Sequence, residues 1–600
     1  MAVTTEKIAG FIRRHTCFLI LVVLVLTLCV IPFSISDIYK GHDFQFHIGR
    51  VWSISQNIEN GIWFSPIHHA YLDGYGYASP LFYGDIFLHI PGYLVTLGVS
   101  PGRALGTFMI MVLVATAFVS YFCGKYVFKN KAAALTAAAA YTFSSYFCAD
   151  MLIRSAVGEL QAFIFLPLIF TGFYSITFRD GRKWLMLPLG LAGCIISHVL
   201  TAAVSVLILF IFALINIKKF INEPKKIGQI GLSVLTFCGV AAFFLFPLME
   251  QMSSYDFPIT NGQAAVAWGK LTERAMPGWF IFLDFAIKFN TPAWIPNGIG
   301  LSALVSIVGV YYSQLKRWKP GKITWGVLAT GGVLLLATTN AFPWKWDFIQ
   351  DLAGSMQFPW RLMIFATFFF AAAAGFVLAK PKPEVFSSLF MVLVIGLSVF
   401  SYVMTGADTF TDMYNKRKEN PADSLEIKQY IGAGEYMPVN KDAKGNWVSA
   451  GTIKGRLFNR GDKVTSNNIP SSTINCSRDY NVLTAEFYGN NYTDTYIEFP
   501  LLMYKGYHAE INGVPAKVEY GKDNIVRVYL GENQSGEVVV WYKGTAIQHV
   551  SRIISLISLA AVVLYIIFRK KKAPAGNTVD VENLPEQEVV TADPLNDNMR

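Results

Sequence analysis

Apolar runs long enough to cross a bilayer alternate along this chain with short polar segments rich in Lys and Arg. The first, Thr16 to Phe33, is followed by runs near 104–123, 132–149, 161–178, 184–198, 200–217, 227–248, 296–313, 323–339, 361–379, 385–404 and 550–568. Because roughly 20 apolar residues span the hydrocarbon core, the pattern predicts a polytopic α-helical membrane protein of about twelve spans. Between 184 and 217 two spans share few residues. Short helices meeting at Ser197-His198 would leave a depression in the outer leaflet. The run Leu81 to Val99 is less apolar and contains Pro91, which predicts a surface or re-entrant helix.

Between 405 and 549 the period changes from helical to alternating. Thr452 to Phe458, Val482 to Tyr488, Thr495 to Phe499 and Val538 to Tyr542 read as strands. Asn512-Gly513, between Tyr507–Ile511 and Ala516–Glu519, is a hairpin signal. The pattern predicts a β-sandwich-like domain at 405–549, joined to the membrane region 1–404 and followed by the last span, 550–568. The segment 569–600 becomes acidic and rich in Pro and Asn, as expected of a disordered tail.

Charge orients these elements. Basic clusters recur at Lys125/Lys129/Lys131, Arg179/Arg182/Lys183, Lys218/Lys219/Lys225/Lys226, Lys316/Arg317/Lys319/Lys322, Lys380/Lys382 and Arg569 to Lys572, and Lys7, Arg13 and Arg14 precede the first run. The positive-inside rule puts all of them in the cytoplasm. Both termini are then inside a cell membrane, and the loops 34–103, 249–295 and 340–360 and the β-rich domain are outside. The first run exceeds a signal-peptide core, and Ser34-Ile35-Ser36-Asp37 is a poor cleavage site, so it reads as an uncleaved span.

A composition 53% hydrophobic agrees with this reading, and the net charge of +10 follows from topology rather than nucleic-acid binding. Six of the seven cysteines lie in or beside spans, which argues against a disulfide framework, redox chemistry or a zinc site.

Candidate chemistry concentrates on the outer face. In Gly41-His42-Asp43-Phe44-Gln45-Phe46-His47-Ile48-Gly49-Arg50, the residues Asp43, His47 and Arg50 share one helical face just after the first span. Helix capping by Asp43 is the plainer reading, and two His around one Asp also suit a divalent cation. Arg154-Ser155-Ala156-Val157-Gly158-Glu159 places two charges beside hydrocarbon, either as a site or as a structural ion pair. Gln357-Phe358-Pro359-Trp360-Arg361 is either a two-point phosphate clamp with an apolar flank or an interfacial anchor. His198 reads most simply as a buried structural histidine, and Glu250 as an interfacial carboxylate. Tyr71, Tyr75, Tyr77 and Tyr83 suit either sugar stacking or an aromatic belt.

With those motifs, and with Ser79-Pro80-Leu81-Phe82-Tyr83 and Tyr504-Lys505-Gly506-Tyr507, the chain resembles the GT-C glycosyltransferases. Its likeness is greatest to the bacterial YfhO-type family, related to 6-pyruvoyl-tetrahydropterin synthase-related membrane proteins. The likeness is spread along most of residues 1–570 in short motifs.

The resemblance implies a hexosyltransferase that moves a sugar from a polyprenyl-phosphate donor to an extracytoplasmic acceptor, such as a teichoic-acid-type glycopolymer, a lipid or a protein. The first-loop acid of that family matches Asp43 here, as the base, with His47 or His42 positioning it. Many relatives pair acidic residues there, whereas this chain has His-Asp. Arg154 and Arg361 would bind the lipid phosphate, Glu159 would orient Arg154 or contact the sugar, and Trp360, His198 and Tyr83 would line the donor site. No cofactor is called for, although a divalent cation is compatible. Partners would be the lipid-linked sugar, the envelope acceptor and membrane lipids. The competing classes are a lipid or solute transporter and a non-catalytic envelope scaffold. A transporter should carry paired broken helices and internal repeats, which the sequence lacks.

Overall fold

A computed structural model of the chain describes residues 2–30, 41–261, 271–278, 281, 298–353, 356–415 and 425–571. The segment Ser34–Asp37, most of the 249–295 loop and the tail beyond residue 571 lie outside the described residues. The chain is mostly helical, with a C-terminal β-sheet region.

Among the described residues, five helices are long and apolar enough to cross a membrane: Pro101–Phe128, Val157–Phe178, Pro359–Leu378, Glu384–Ala407 and Ala546–Arg569. Pro224–Val240 and Ala242–Ser254 qualify together, bent by 72° at their junction. Such a break exposes backbone donors, and one is satisfied from outside the pair. The Phe243 N–H donates to Ser555 Oγ of the last helix at 2.9 Å. The other apolar helices are shorter, among them Met186–Ser197 and Val199–Ile215, which meet at an extended His198.

The run expected as a span at 132–149 is not one helix. Lys131–Thr142 ends, Ser144 caps a new turn by accepting from Phe147 N–H at 3.2 Å, and the chain continues into a π-helix, Ala149–Arg154. A continuous apolar pattern carries no mark of this restart, because Ser144 and Ser145 are hydropathically mild. The stretch 81–99 is likewise divided into short helices, of which His89–Thr96 packs against the helix Phe44–Glu59.

The basic clusters meet one another. Lys131 Nζ donates to Arg14 O at 3.3 Å, Lys380 Nζ to Lys319 O at 3.1 Å, Lys226 Nζ to Thr177 O at 3.1 Å, and Arg569 to Arg182 O at 2.6 Å.

The β region has strands β1 (Thr465–Ser466), β2 (Asn475–Asp479), β3 (Val482–Phe487), β4 (Tyr496–Leu502), β5 (Tyr507–Ile511), β6 (Val514–Ala516), β7 (Val518–Tyr520), β8 (Ile525–Tyr529) and β9 (Gly536–Tyr542). They form two antiparallel sheets, in the orders β1-β4-β8-β7 and β2-β3-β9-β5-β6. The Asn512-Gly513 turn joins β5 to β6 with Ile511 opposite Val514. Both turn residues have positive φ, 50° and 77°, as a two-residue hairpin requires.

The segment expected as a strand at 452–458 is instead a helix, Ala450–Arg460. Ser449 Oγ accepts from Thr452 N–H at 3.2 Å, and Ala450, Ile453 and Leu457 form one buried face. Over seven residues the two periods overlap, and the cap with its i, i+3, i+7 stripe decides for the helix.

The β region is fastened to the helices. Its apolar core continues into the segment between the first two long helical regions through Tyr71, Tyr75, Tyr77 and Phe82. Tyr480 O–H donates to Asn57 Oδ1 at 2.7 Å, and Gln251 exchanges hydrogen bonds with the backbone of Lys505.

Candidate functional site

The strand of chain entering the helix Phe44–Glu59 lies directly on the turn at 153–155. His42 N–H donates to Ile153 O at 3.2 Å and Asp43 N–H to Arg154 O at 2.8 Å. The approach is so close that a Cβ at Gly41 would collide with the Ser155 side chain, which explains the glycine. Asp43 occupies the N-cap position, yet its carboxylate makes no capping hydrogen bond. The plain capping reading therefore does not describe it.

The half-buried carboxylate instead faces charge. Burial raises the pKa of Asp43, against the opposing pull of Arg154, Arg361 and His42, with Glu159 adding to the rise. His42 is exposed at the rim, and partial desolvation lowers its pKa against the pull of Asp43.

His47 and Arg50 turn inward on the same helix. Arg50 donates to Tyr83 O at 2.7 Å and Gly84 O at 2.9 Å, and lies 3.4 Å from His47 Nδ1. The Tyr83 ring lies 4.6 Å from the Arg50 guanidinium and edge-on to His47 at 5.8 Å. Burial, with the positive charge of Arg50, keeps His47 neutral well below the usual range. Its ring thus contacts Arg50 and Tyr83 rather than orienting Asp43.

Beneath Asp43 lies a buried ionic floor. Arg154 pairs with Asp150 one turn earlier and with Glu159 Oε2 at 2.9 Å, and it donates to Tyr146 Oη at 3.3 Å. Tyr146 in turn donates to Glu159 Oε1 at 2.7 Å. The structural ion pair considered for Arg154 and Glu159 is therefore present, and Asp150 enlarges it. One guanidinium thus serves two buried carboxylates, and Asp150 Oδ2 is buried without a hydrogen-bond partner, so the network depends on Arg154 for its stability in an apolar setting.

Arg361 stands at the edge of this floor. Its Nε is 4.0 Å from Glu159 Oε2, one hydrogen bond reaches Met356 O at 3.3 Å, and the guanidinium lies 5.4 Å from the Phe358 ring. Trp360 is buried and stacked on Phe358 at 4.3 Å. His198 is buried too, with Nδ1 2.7 Å from Thr201 Oγ1 and its ring edge-on to Tyr83. A Cβ at Gly158 would meet the Tyr83 hydroxyl and Ser197 O, so this glycine lets the tyrosine reach the floor.

Three segments remote in sequence thus converge: Asp43 and Tyr83 from one, Arg154 and Glu159 from the second, and Trp360-Arg361 from a third. Glu250 lies elsewhere, accepting from Thr545 Oγ1 at 2.6 Å and 3.4 Å from Lys505 Nζ.

Sequence reasoning missed two contributors. Asp150 sits in an apolar stretch, and a lone acid there is the signal that points to it. Glu435 comes from the segment leading into the β region, between glycines of positive φ at 432 and 434 and Tyr436, whose ring stacks on Phe82 at 5.2 Å. Burial raises the pKa of Glu435, the charge of Asp43 raises it further, and Arg361 opposes both. Asp43 and Arg361 therefore lie within electrostatic reach of Glu435. Among the described residues, no group of three or more His, Cys, Asp or Glu side chains is arranged to hold a metal ion.

No protein-family model matches the chain. It is similar to an uncharacterized protein of Lactococcus lactis subsp. cremoris (strain MG1363), 25% identical over 272 residues. The alignment covers 44% of this chain and 44% of that protein, so the chain spans less than half the length of the relative it matches.

Proposed function

We propose that the chain is a GT-C-type membrane glycosyltransferase of about twelve spans, carrying a β-sandwich outside the membrane and both termini in the cytoplasm. The observation that carries the reading is the state of Asp43, an uncapped carboxylate at a helix start, lying on the Arg154 turn and within the field of Arg154 and Arg361. The pairing of basic clusters with one another supports a single cytoplasmic face, and a single apolar core shared by residues of both sheets supports the sandwich.

In this mechanism Asp43 takes the proton of an acceptor hydroxyl. The resulting oxygen attacks the anomeric carbon, and the bond from that carbon to the lipid phosphate breaks. Arg361 stabilises the departing phosphate, since its guanidinium is not enclosed by acceptors. Arg154 holds Glu159 and Asp150 in place beneath the site. Tyr83 and the Phe358–Trp360 stack flank the donor. The donor is a polyprenyl-phosphate hexose and the acceptor an envelope glycan, lipid or protein. Extracytoplasmic space holds no soluble nucleotide sugar, which makes a lipid carrier the available donor.

The test is turnover of lipid-linked sugars by the purified protein in defined membranes. Transfer by the native chain that disappears in Asp43→Asn supports the reading. Equal turnover by the variant removes Asp43 from the mechanism, and no turnover of any polyprenyl-phosphate sugar by the native chain overturns the assignment. Cysteine labelling from outside should reach Asp43 and Tyr255 but not Lys183, Lys219 or Lys319.

A further inference from the structure

At the end of the bundle where the basic clusters gather, the helices line an open cavity of about 1600 Å³. It exceeds the roughly 300–1,000 Å³ typical of pockets for drug-sized ligands. The inner wall is apolar and aromatic, with Phe128, Phe170, Phe173, Phe212, Phe368 and Phe369. Cations from five separate parts of the chain stand around it: Lys129, Arg179, Lys219, Lys226, Lys322 and Lys380. Among the described residues lining it, Glu223 is the one carboxylate, and it pairs with Lys226 at 2.7 Å. None of the remaining cations forms a salt bridge with a lining residue; Lys219 lies over the Phe178 ring at 4.0 Å and Arg179 over the Tyr174 ring at 5.6 Å.

Two physical arguments fix what such a cavity holds. Aromatic walls offer water few hydrogen bonds, so apolar chains fill the space better than solvent does. Clustered cations beside that space repel one another unless an anion sits between them, and desolvation by an apolar wall strengthens both effects. An occupant must therefore join apolar chains to a negatively charged head. We propose that this cavity binds one anionic phospholipid, with its phosphate among Lys219, Lys322 and Arg179 and its acyl chains along the phenylalanine wall. The site is distinct from the outer mouth at Asp43 and does not depend on the function proposed for that mouth.

The competing occupant is the chain's own C-terminal segment, which follows Arg569 and carries Asp580, Glu582, Glu586 and Glu588. Arg569 donates to Arg182 O, so this segment starts beside the same basic rim. It lacks long apolar stretches to fill the aromatic wall, which favours the lipid.

The experiment is native mass spectrometry of the full-length protein in neutral detergent, titrated with phosphatidylglycerol or with phosphatidylcholine of the same chains. The expected result is one phosphatidylglycerol bound at least tenfold more tightly than phosphatidylcholine, with the preference shrinking at high salt. Lys219→Gln with Lys322→Gln should lose that preference, while Lys219→Arg with Lys322→Arg, which keeps the charge, should retain it. Equal binding of the two lipids overturns the proposal, as does a preference unchanged in the Gln variant. Binding of phosphatidylglycerol only after Asp580, Glu582, Glu586 and Glu588 are neutralised also overturns it, because the tail then occupies the mouth.

Discussion

Two arginines approach the same carboxylate, and their surroundings differ. Arg154 lies in a floor where Asp150, Glu159 and Tyr146 take up its hydrogen bonds. Arg361 lies 4.0 Å from Glu159 and gives one hydrogen bond to a backbone carbonyl, within electrostatic reach of Asp43 and Glu435. A charge enclosed by partners keeps structure, because moving it leaves its partners unpaired in an apolar medium. A charge with few partners at an opening is available to a ligand. The floor and the mouth are thus one electrostatic system with a division of labour, and substitutions should separate them.

The largest effect is expected at the mouth. Asp43→Asn should lower sugar transfer by about 10²–10⁴-fold, the worth of a general base, with donor binding retained. Because burial raises the Asp43 pKa, ionising it costs stability as pH rises through that value. The Asn variant should therefore melt no lower than the native chain at neutral pH. Native turnover should fall as pH drops through a value above the ordinary carboxylate range.

Arg154→Ala should act on the floor. It leaves Asp150 and Glu159 buried without their cation, a loss of about 3–5 kcal/mol where a buried pair is broken. Thermal unfolding in the same detergent measures it. Adding Glu159→Ala should restore part of the loss, whereas additive effects would show that the two residues do not act as a unit.

Arg361→Lys should sharpen the contrast. The charge stays but the planar fork is lost, so donor affinity should fall roughly tenfold while melting temperature changes little. Arg361→Ala should weaken donor binding further. Unchanged affinity in both would make Trp360-Arg361 a membrane anchor.

The smallest effect is expected for Glu435→Gln. Removing a negative neighbour should lower the Asp43 pKa, moving the acid limb of the pH profile downward with only a few-fold change in the maximum rate. A limb that stays in place would detach the β region from the site.

The long apolar helices, the strands at 482–487, 496–502 and 536–542 and the Asn512-Gly513 hairpin were legible in the sequence. In each, a local period or a turn residue agrees with the burial that tertiary packing supplies. The charged motifs at 42–50, 154–159 and 357–361 stood out in the sequence because charges beside apolar runs are conspicuous. The helix Ala450–Arg460 was not, since a seven-residue run satisfies both periods and only the Ser449 cap and the buried stripe separate them. The restart at Ser144 was hidden for a similar reason, as hydropathy averages over a break that keeps its residues apolar.

By itself the sequence determined how much of this chain is apolar enough for a membrane and which ends of its helices are basic, but not where the β region begins, since the helix Glu384–Asn415 runs past residue 405 and the first strand starts at Thr465. These follow from local composition and periodicity, which need no knowledge of what each residue touches. Tertiary structure alone decided that Asp43 stands at a helix start without capping it, and that Arg154 is enclosed while Arg361 is open. It also decided that Glu435, far along the chain, lies within electrostatic reach of Asp43. Each of these is a matter of distance and burial between residues remote in sequence, and electrostatic strength depends on those two quantities rather than on residue type.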